Sequence, residues 1–272
     1  MDKQRLVQTA QALVAQGKGI LAADESSGTI KRRFDSINVE STEENRRNYR
    51  EMLFRTAGVN EFISGVILFD ETIRQSTLND SIPFPEYLTN LNVIPGIKVD
   101  KGAHPLSGFD GEKVTEGLDG LNDRLKEYYQ LGARFAKWRA VITIGESEPS
   151  SACVSANAHA LARYAALCQE NDIVPIVEPE ILMDGTHTIE ESFILTEEVL
   201  HTVFYELYGQ GVLYEGMVLK PNMILSGYKS SEQAIVEDVA EMTVTVLKRC
   251  VPAAVPGIAF LSGGQSDEDA TA

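Results

Sequence analysis

Phe135-Ala136-Lys137-Trp138-Arg139-Ala140-Val141-Ile142 is an almost continuous apolar run interrupted by two cations two residues apart. Successive side chains of a strand point to opposite faces, so Lys137 and Arg139 share one face. A run apolar on both faces suits a strand of a parallel sheet covered by helices. Working outward, comparable runs occur at Gly19 to Asp24, Gly65 to Phe69, Ile94 to Asp100, Ile173 to Glu180, Gly216 to Met223 and Gly257 to Gly263. Their β-branched content and glycine or proline punctuation favour strands over helices. Helix-like segments lie between them. Ser41-Thr42-Glu43-Glu44 and Thr188-Ile189-Glu190-Glu191 fit capping boxes, and Ala152 to Glu170 and Ser231 to Arg249 carry helical periodicity without an internal breaker. This alternation predicts an α/β fold. No glycine-rich dinucleotide fingerprint follows the first strand, and no Ser/Gly linker or shift of composition divides residues 1–272. The expectation is therefore one domain over 1–272, built as a barrel of alternating strands and helices.

Composition narrows the partners. With 24 Lys and Arg against 40 Asp and Glu, the net charge is −16. Such a chain repels nucleic acid and anionic membranes at long range, so neither is an expected partner. A phosphorylated small molecule stays compatible, because a local cluster of cations in a cleft outweighs the distant field. Cys153, Cys168 and Cys250 are odd in number and widely spaced, without a CxxC pair, which suits a reducing cytoplasm. His104, His159, His187 and His201 show no metal-ligand spacing, so no metal and no cofactor is expected. The first residues lack the apolar core of a signal peptide, and no run approaches membrane-spanning length.

In a barrel of this type the site is built at the C-terminal ends of the strands. Those ends carry Asp24, Lys98 and Asp100, Lys137 and Arg139, Glu178 and Glu180, Lys220, and Ser262-Gly263-Gly264. For each pair alone, a structural ion pair inside the barrel accounts for the residues equally well. Six strands ending in polar groups at one edge are harder to explain without a site. Lys220 closes the apolar run Gly216 to Leu219 just before Pro221, the placement of an amine nucleophile toward a carbonyl. Such an amine must be neutral to react, and Lys137 is a nearby cation that disfavours a second positive charge. Glu178 is available to move the protons of imine formation. Asp24 is available as a base for a β-hydroxyl proton in carbon–carbon cleavage. Arg139 and Lys98 suit a phosphate. Ser262 to Gly264 reads either as an anion-binding turn or as an ordinary strand-to-helix turn, and Ala22 to Gly28 as either a turn or a site loop.

Eight blocks in order carry a resemblance: GKGILAADESSGTI from Gly17, NRRNYRE from Asn45, GVILF from Gly65, PGIKVDKG from Pro95, ARFAKWRAVI from Ala133, IVPIVEPEIL from Ile173, LKPNM from Leu219 and FLSGGQS from Phe260. Together they resemble the class I, or Schiff-base, fructose-bisphosphate aldolases from about Gln11 onward. That resemblance implies a (β/α)8 barrel of the TIM type, usually a homotetramer. It also implies glycolytic cleavage of fructose 1,6-bisphosphate to dihydroxyacetone phosphate and glyceraldehyde 3-phosphate. By the same resemblance Lys220 is the imine lysine, Glu178 the proton-transfer acid, and Asp24 and Lys137 the cleavage residues. Arg139, Lys98, Ser26, Ser262 and Gly263 fall on substrate-lining positions, and Glu180 on a supporting carboxylate. Ser27 and Thr29 depart slightly within the first block but keep small or hydroxyl character. The family pattern continues past Ala272 with an eighth strand bearing a phosphate-binding arginine and with a tail ending in tyrosine. The expectation is thus a barrel with strands one to seven, its first and seventh edges open. Two functions follow: a Schiff-base aldolase, or a non-catalytic aldolase-derived barrel that binds sugar phosphates or partners intact subunits.

Overall fold

A computed structural model describes residues 1–146 and 148–272. Its strands, in chain order, are β1 (Gly19–Ala23), β2 (Ile63–Leu68), β3 (Ile94–Lys98), β4 (Ala103–Pro105), β5 (Lys113–Thr115), β6 (Phe135–Ile142), β7 (Val174–Ile181) and β8 (Val218–Leu219). Six of them form one sheet in the order β1-β2-β3-β6-β7-β8, parallel throughout. Helices fill the connections, so the sheet curls with helices on its outer side and belongs to the TIM-barrel type. β4 and β5 form a separate antiparallel hairpin beyond the end of β3. Their three-residue, mostly exposed strands carry too little periodicity to be read from sequence.

The lower interior of the barrel is filled by one aromatic ring. Phe135 is fully buried at the start of β6, paired with Gly96 on one side and Val174 on the other, and its ring reaches over to Gly65 on β2. A Cβ on Gly65 would stand 2.9 Å from the Phe135 ring and 2.7 Å from Leu13. A Cβ on Gly96 would stand only 2.3 Å from the Phe135 ring. The first helix, Lys3–Leu13, closes this end by seating Leu6, Ala10 and Leu13 against Phe135, Val174, Ile176 and Val218. A second, larger apolar layer lies between the sheet and its outer helices, with Trp138 against Tyr164 near its centre.

Several expectations change in detail. The 257–263 run is extended but is no full strand: it meets β8 at one parallel bridge, Leu219 to Ile258. The Ala259 amide adds a hydrogen bond to the Leu219 carbonyl at 2.9 Å. β8 itself is short, because Pro221 has no amide hydrogen to extend a ladder. Between β1 and the 257–263 segment runs a groove of about 560 Å3, lined by Ile20 and Ala22 on one side and Ile258 and Phe260 on the other. Thr188 and Glu191 form the expected capping box. The earlier one does not form: the helix Glu43–Phe54 starts one residue later, capped by Thr42 alone, with Asn45 where a carboxylate would have to reach back. The predicted 231–249 helix begins only at Val236. Ahead of it, the Gln233 side chain donates to the Gly227 carbonyl at 2.9 Å and the Ala234 amide to Ser226 Oγ at 3.3 Å. These side-chain bonds hold the backbone in a non-helical path.

The packing of Phe135 gives a direct test. Gly96→Ala overpacks a closed interior and is expected to cost about 1–3 kcal/mol in urea unfolding. Gly19→Ala, whose Cβ would meet nothing within 4 Å, is expected to stay within about 0.5 kcal/mol of the parent.

Candidate active site

The site assembles at the C-terminal rim. Lys137, buried on β6, places its Nζ 2.8 Å from Asp24 Oδ2 and 3.5 Å from Glu178 Oε2. Lys220 follows β8, and its Nζ lies 2.9 Å from Glu178 Oε1. The order Asp24, Lys137, Glu178, Lys220 is thus a chain of alternating charge drawn from four different strands. The backbone fixes its last member: the Lys220 amide donates to the Val177 carbonyl at 2.8 Å, which sets the strand end against β7.

Burial works against the Lys137 ammonium, but Asp24, Glu178 and Asp100 together outweigh it and hold its pKa above the ordinary lysine range. A raised pKa stabilises the folded state fully at neutral pH, and that contribution is lost only above the normal titration of lysine. Glu178 lies between the two lysines, so its carboxylate offsets the field of Lys137 at Lys220. The Oε2 atom of Glu178 has no hydrogen-bond partner among the described residues. A buried carboxylate oxygen so placed is a ready proton acceptor.

The other expected residues fall around this chain. Lys98 Nζ is 2.6 Å from Asp100 Oδ1, and Asp100 also accepts from the Gly102 amide at 3.1 Å. Arg139 Nε donates to Glu180. Ser26 caps the helix Ser27–Ser36, accepting from the Thr29 amide at 3.4 Å, which presents that helix start to the cleft. Asp24, Ser26, Lys98, Lys137 and Arg139 line one open cleft of about 840 Å3. Lys220 and Ser262 instead line the adjoining groove between β1 and the 257–263 segment, and Ala22 borders both spaces. Gly263 has a left-handed backbone (φ 62°), and its carbonyl accepts from the Tyr228 hydroxyl at 3.2 Å. That contact anchors the glycine turn without touching the barrel interior.

Two residues escaped the sequence reading. Arg33 lines the cleft and pairs with Glu25 at 2.5 Å. Arg50 is completely buried, and its guanidinium donates to the carbonyls of Ala23 at 3.1 Å and Glu25 at 2.7 Å, the residues on either side of Asp24. Burial pushes its pKa down, against the opposing pull of Glu25, Glu71 and Asp24. Both arginines sit in helices whose pattern marks only which face is apolar. The signal for Arg50 was its place in the NRRNYRE block, without any hint of what it touches.

A lysine amine against a buried carboxylate, at the C-terminal rim of a parallel α/β barrel, has the parts of a site that works on carbonyl compounds through an imine. Comparison with known proteins agrees. The family model described as "Glycolytic: Fructose-bisphosphate aldolase class-I" matches residues 5–272. A probable fructose-bisphosphate aldolase class 1 of Xanthomonas axonopodis pv. citri is 61% identical over 272 residues, covering 100% of this chain and 81% of the relative. The cytosolic fructose-bisphosphate aldolase 6 of Arabidopsis thaliana is 56% identical over 266 residues, covering 98% and 74%. Among solved structures, the Plasmodium falciparum fructose-bisphosphate aldolase, crystallised with TRAP and a small-molecule inhibitor, superposes with a TM-score of 0.96. It is 53% identical and covers 98% of this chain and 78% of its own. The chain belongs to the class I fructose-bisphosphate aldolases, the glycolytic lyases of that name.

Removing the central cation leaves the buried Asp24 carboxylate without its ion pair and Glu178 with Lys220 alone. Lys137→Met is therefore expected to lose about 3–5 kcal/mol of stability by chemical denaturation. A loss under about 1 kcal/mol, the range of an exposed pair, would mean that Lys137 is not the hub of the charge chain.

Proposed function

We propose that this chain cleaves fructose 1,6-bisphosphate reversibly into dihydroxyacetone phosphate and glyceraldehyde 3-phosphate, with Lys220 forming the imine. The observation that carries the reading is the Glu178 carboxylate, one oxygen on the Lys220 amine and the other without a hydrogen-bond partner. The Lys220 amine adds to the ketose carbonyl, forming a carbon–nitrogen bond and a carbinolamine. Glu178, protonated by the proton that Lys220 gives up to become a neutral amine, passes that proton to the carbinolamine hydroxyl. Water leaves, and a cationic imine remains. Asp24 then takes the proton of the β-hydroxyl, the one borne by the far carbon of the bond to be broken, whose oxygen becomes the aldehyde carbonyl. The electrons of that carbon–carbon bond move into the imine, the aldehyde departs, and an enamine stays on Lys220. Protonation of the enamine and addition of water release the second product and restore the amine.

Lys137 serves this sequence by its position: its ammonium is held protonated and sits 2.8 Å from the carboxylate that must accept the proton. The phosphate groups fall to Lys98, Arg139, Ser26, Ser262 and Gly263. Arg33, which joins Ser26, Lys98 and Arg139 on the cleft wall, is added by the geometry. Lys98, Arg139 and Arg33 each carry a carboxylate partner. An arriving phosphate therefore exchanges one anion for another, and no bare cation has to be buried in between. The cytoplasm and the homotetramer belong to the same reading. The first is supported by the cytosolic Arabidopsis relatives, and among the described residues no helix is long and apolar enough to cross a membrane. Light scattering on the purified chain reads the second, and a monomer at working concentration would remove it.

The test is intact mass after incubation with dihydroxyacetone phosphate and borohydride. One reduced adduct is expected per chain, absent in Lys220→Ala and mapped to Lys220 by peptide digestion. No adduct on a folded, soluble chain would overturn the catalytic reading and leave sugar-phosphate binding alone. A subtler result is expected for Tyr228→Phe, which frees the Gly263 carbonyl. It should raise KM for the bisphosphate several-fold while adduct formation with a carbonyl compound lacking phosphate is unchanged.

A further inference from the structure

On the outer helical layer, away from the cleft, three side chains of different chemistry converge. Glu197 and His201 stand one turn apart on the helix Ile189–Gly209, and Cys250 is the last residue of the helix Val236–Cys250 that packs against it. One ligand atom from each, a carboxylate oxygen, a ring nitrogen and the thiol sulfur, lies within 4.8 Å of the other two. We propose that Glu197, His201 and Cys250 form a binding site for a zinc-class divalent cation, with a fourth position open to water.

The geometry is that of a tetrahedral edge. Zinc–sulfur and zinc–imidazole bonds of about 2.3 and 2.05 Å at the tetrahedral angle put sulfur and nitrogen about 3.6 Å apart. Cys250 Sγ and His201 Nε2 are 3.7 Å apart before any ion has drawn them in. The donor set selects the metal class: thiolate and imidazole suit zinc, whereas magnesium and calcium require oxygen ligands throughout. A supporting contact is present as well. Arg249 donates to both carboxylate oxygens of Glu197, at 3.2 and 3.4 Å, and its guanidinium stacks over Phe193, so the carboxylate is held in place. Burial is graded, with Cys250 buried, Glu197 half-buried and His201 exposed. That leaves a route for the ion and for a water ligand.

None of the three residues lines the catalytic cleft or the groove at Lys220. The site's consequence is mechanical. A bound ion would pin the C-terminus of the Val236–Cys250 helix to its neighbour, and that helix feeds directly into the segment bearing Ser262 and Gly263. No sequence pattern marks it, because the ligands sit as far as 53 residues apart and no spacing motif links them.

Cobalt(II) titration of the full chain under reducing conditions is the test. The expected result is one equivalent bound, a thiolate-to-cobalt charge-transfer band with tetrahedral visible bands, and displacement by one equivalent of zinc. Cys250→Ser is expected to abolish the charge-transfer band. His201→Ala, at an exposed position that does not endanger folding, is expected to weaken zinc by more than about 100-fold, beyond the effect of outer-sphere changes. Cys153→Ser is expected to bind as the parent does. Zinc should also raise the melting temperature of the parent and not that of His201→Ala. Absence of the band at stoichiometric cobalt, or a band and affinity unchanged in His201→Ala, would overturn the site and leave a plain thiol–imidazole contact.

Discussion

Lys137 carries a charge in a place with almost no water, and the architecture of the rim answers to that fact. Taking an ammonium ion out of solvent costs several kcal/mol even after relaxation, and only well-placed anions offset it. Asp24 and Glu178 are those anions, and they come from opposite sides of the sheet order. Three strand spacings separate β1 from β6, about 14 Å across a flat sheet, beyond the combined reach of an aspartate and a lysine. Their 2.8 Å contact therefore exists only because the sheet curls until β1 faces β6 across the interior. The ion pair and the curvature depend on each other, and the same two carboxylates that keep Lys137 charged are the ones assigned to proton transfer in the proposed cleavage.

A ring of backbone clamps surrounds this chain of charge. Arg50 grips the carbonyls on both sides of Asp24, Asp100 accepts the Gly102 amide beside Lys98, and the Lys220 amide is tied to β7. Each clamp fixes the main chain next to a side chain of the candidate site and leaves that side chain's own polar atoms to its partners. Errors of position of about an ångström are costly in catalysis, and clamping the main chain is an economical way to limit them. The glycine turn is handled similarly: Tyr228 holds the Gly263 carbonyl from outside the site.

Much of the rim was legible in the sequence because parallel strands report themselves. Their apolar runs are short and punctuated, and the first polar residue at the end of each run marks the rim. Lys98 falls there at the end of β3, while Lys137 and Glu178 are the first polar residues inside β6 and β7, and Phe135–Ile142 has the bounds its pattern predicted. The 257–263 run shows the limit of that reading. Its composition suits a strand, but pairing depends on a neighbour on each side, and only one bridge to β8 forms. The β4–β5 hairpin was hidden by its brevity. Arg50 and the Glu197–His201–Cys250 cluster were hidden for a different reason: their meaning lies wholly in contacts between distant segments, which periodicity does not encode. The two capping sites show the same limit locally. Thr188 has a glutamate at the third helical position and Thr42 has an asparagine, so one residue of phase decides between a reciprocal cap and a single one.

Phe135, Gly65 and Gly96 form an evolutionary unit as much as a structural one. The ring occupies space that the two glycines vacate, so none of the three can drift alone without either a clash or a void. Descendants of this sequence have two routes open to them. They can retain all three residues together, or shrink position 135 first and then admit side chains at 65 and 96. The order of substitution is thereby constrained, since enlarging a glycine before the ring is lost passes through an overpacked intermediate. A family tree rich enough to date these changes should show the aromatic lost on the earlier branch and the glycines replaced on the later one.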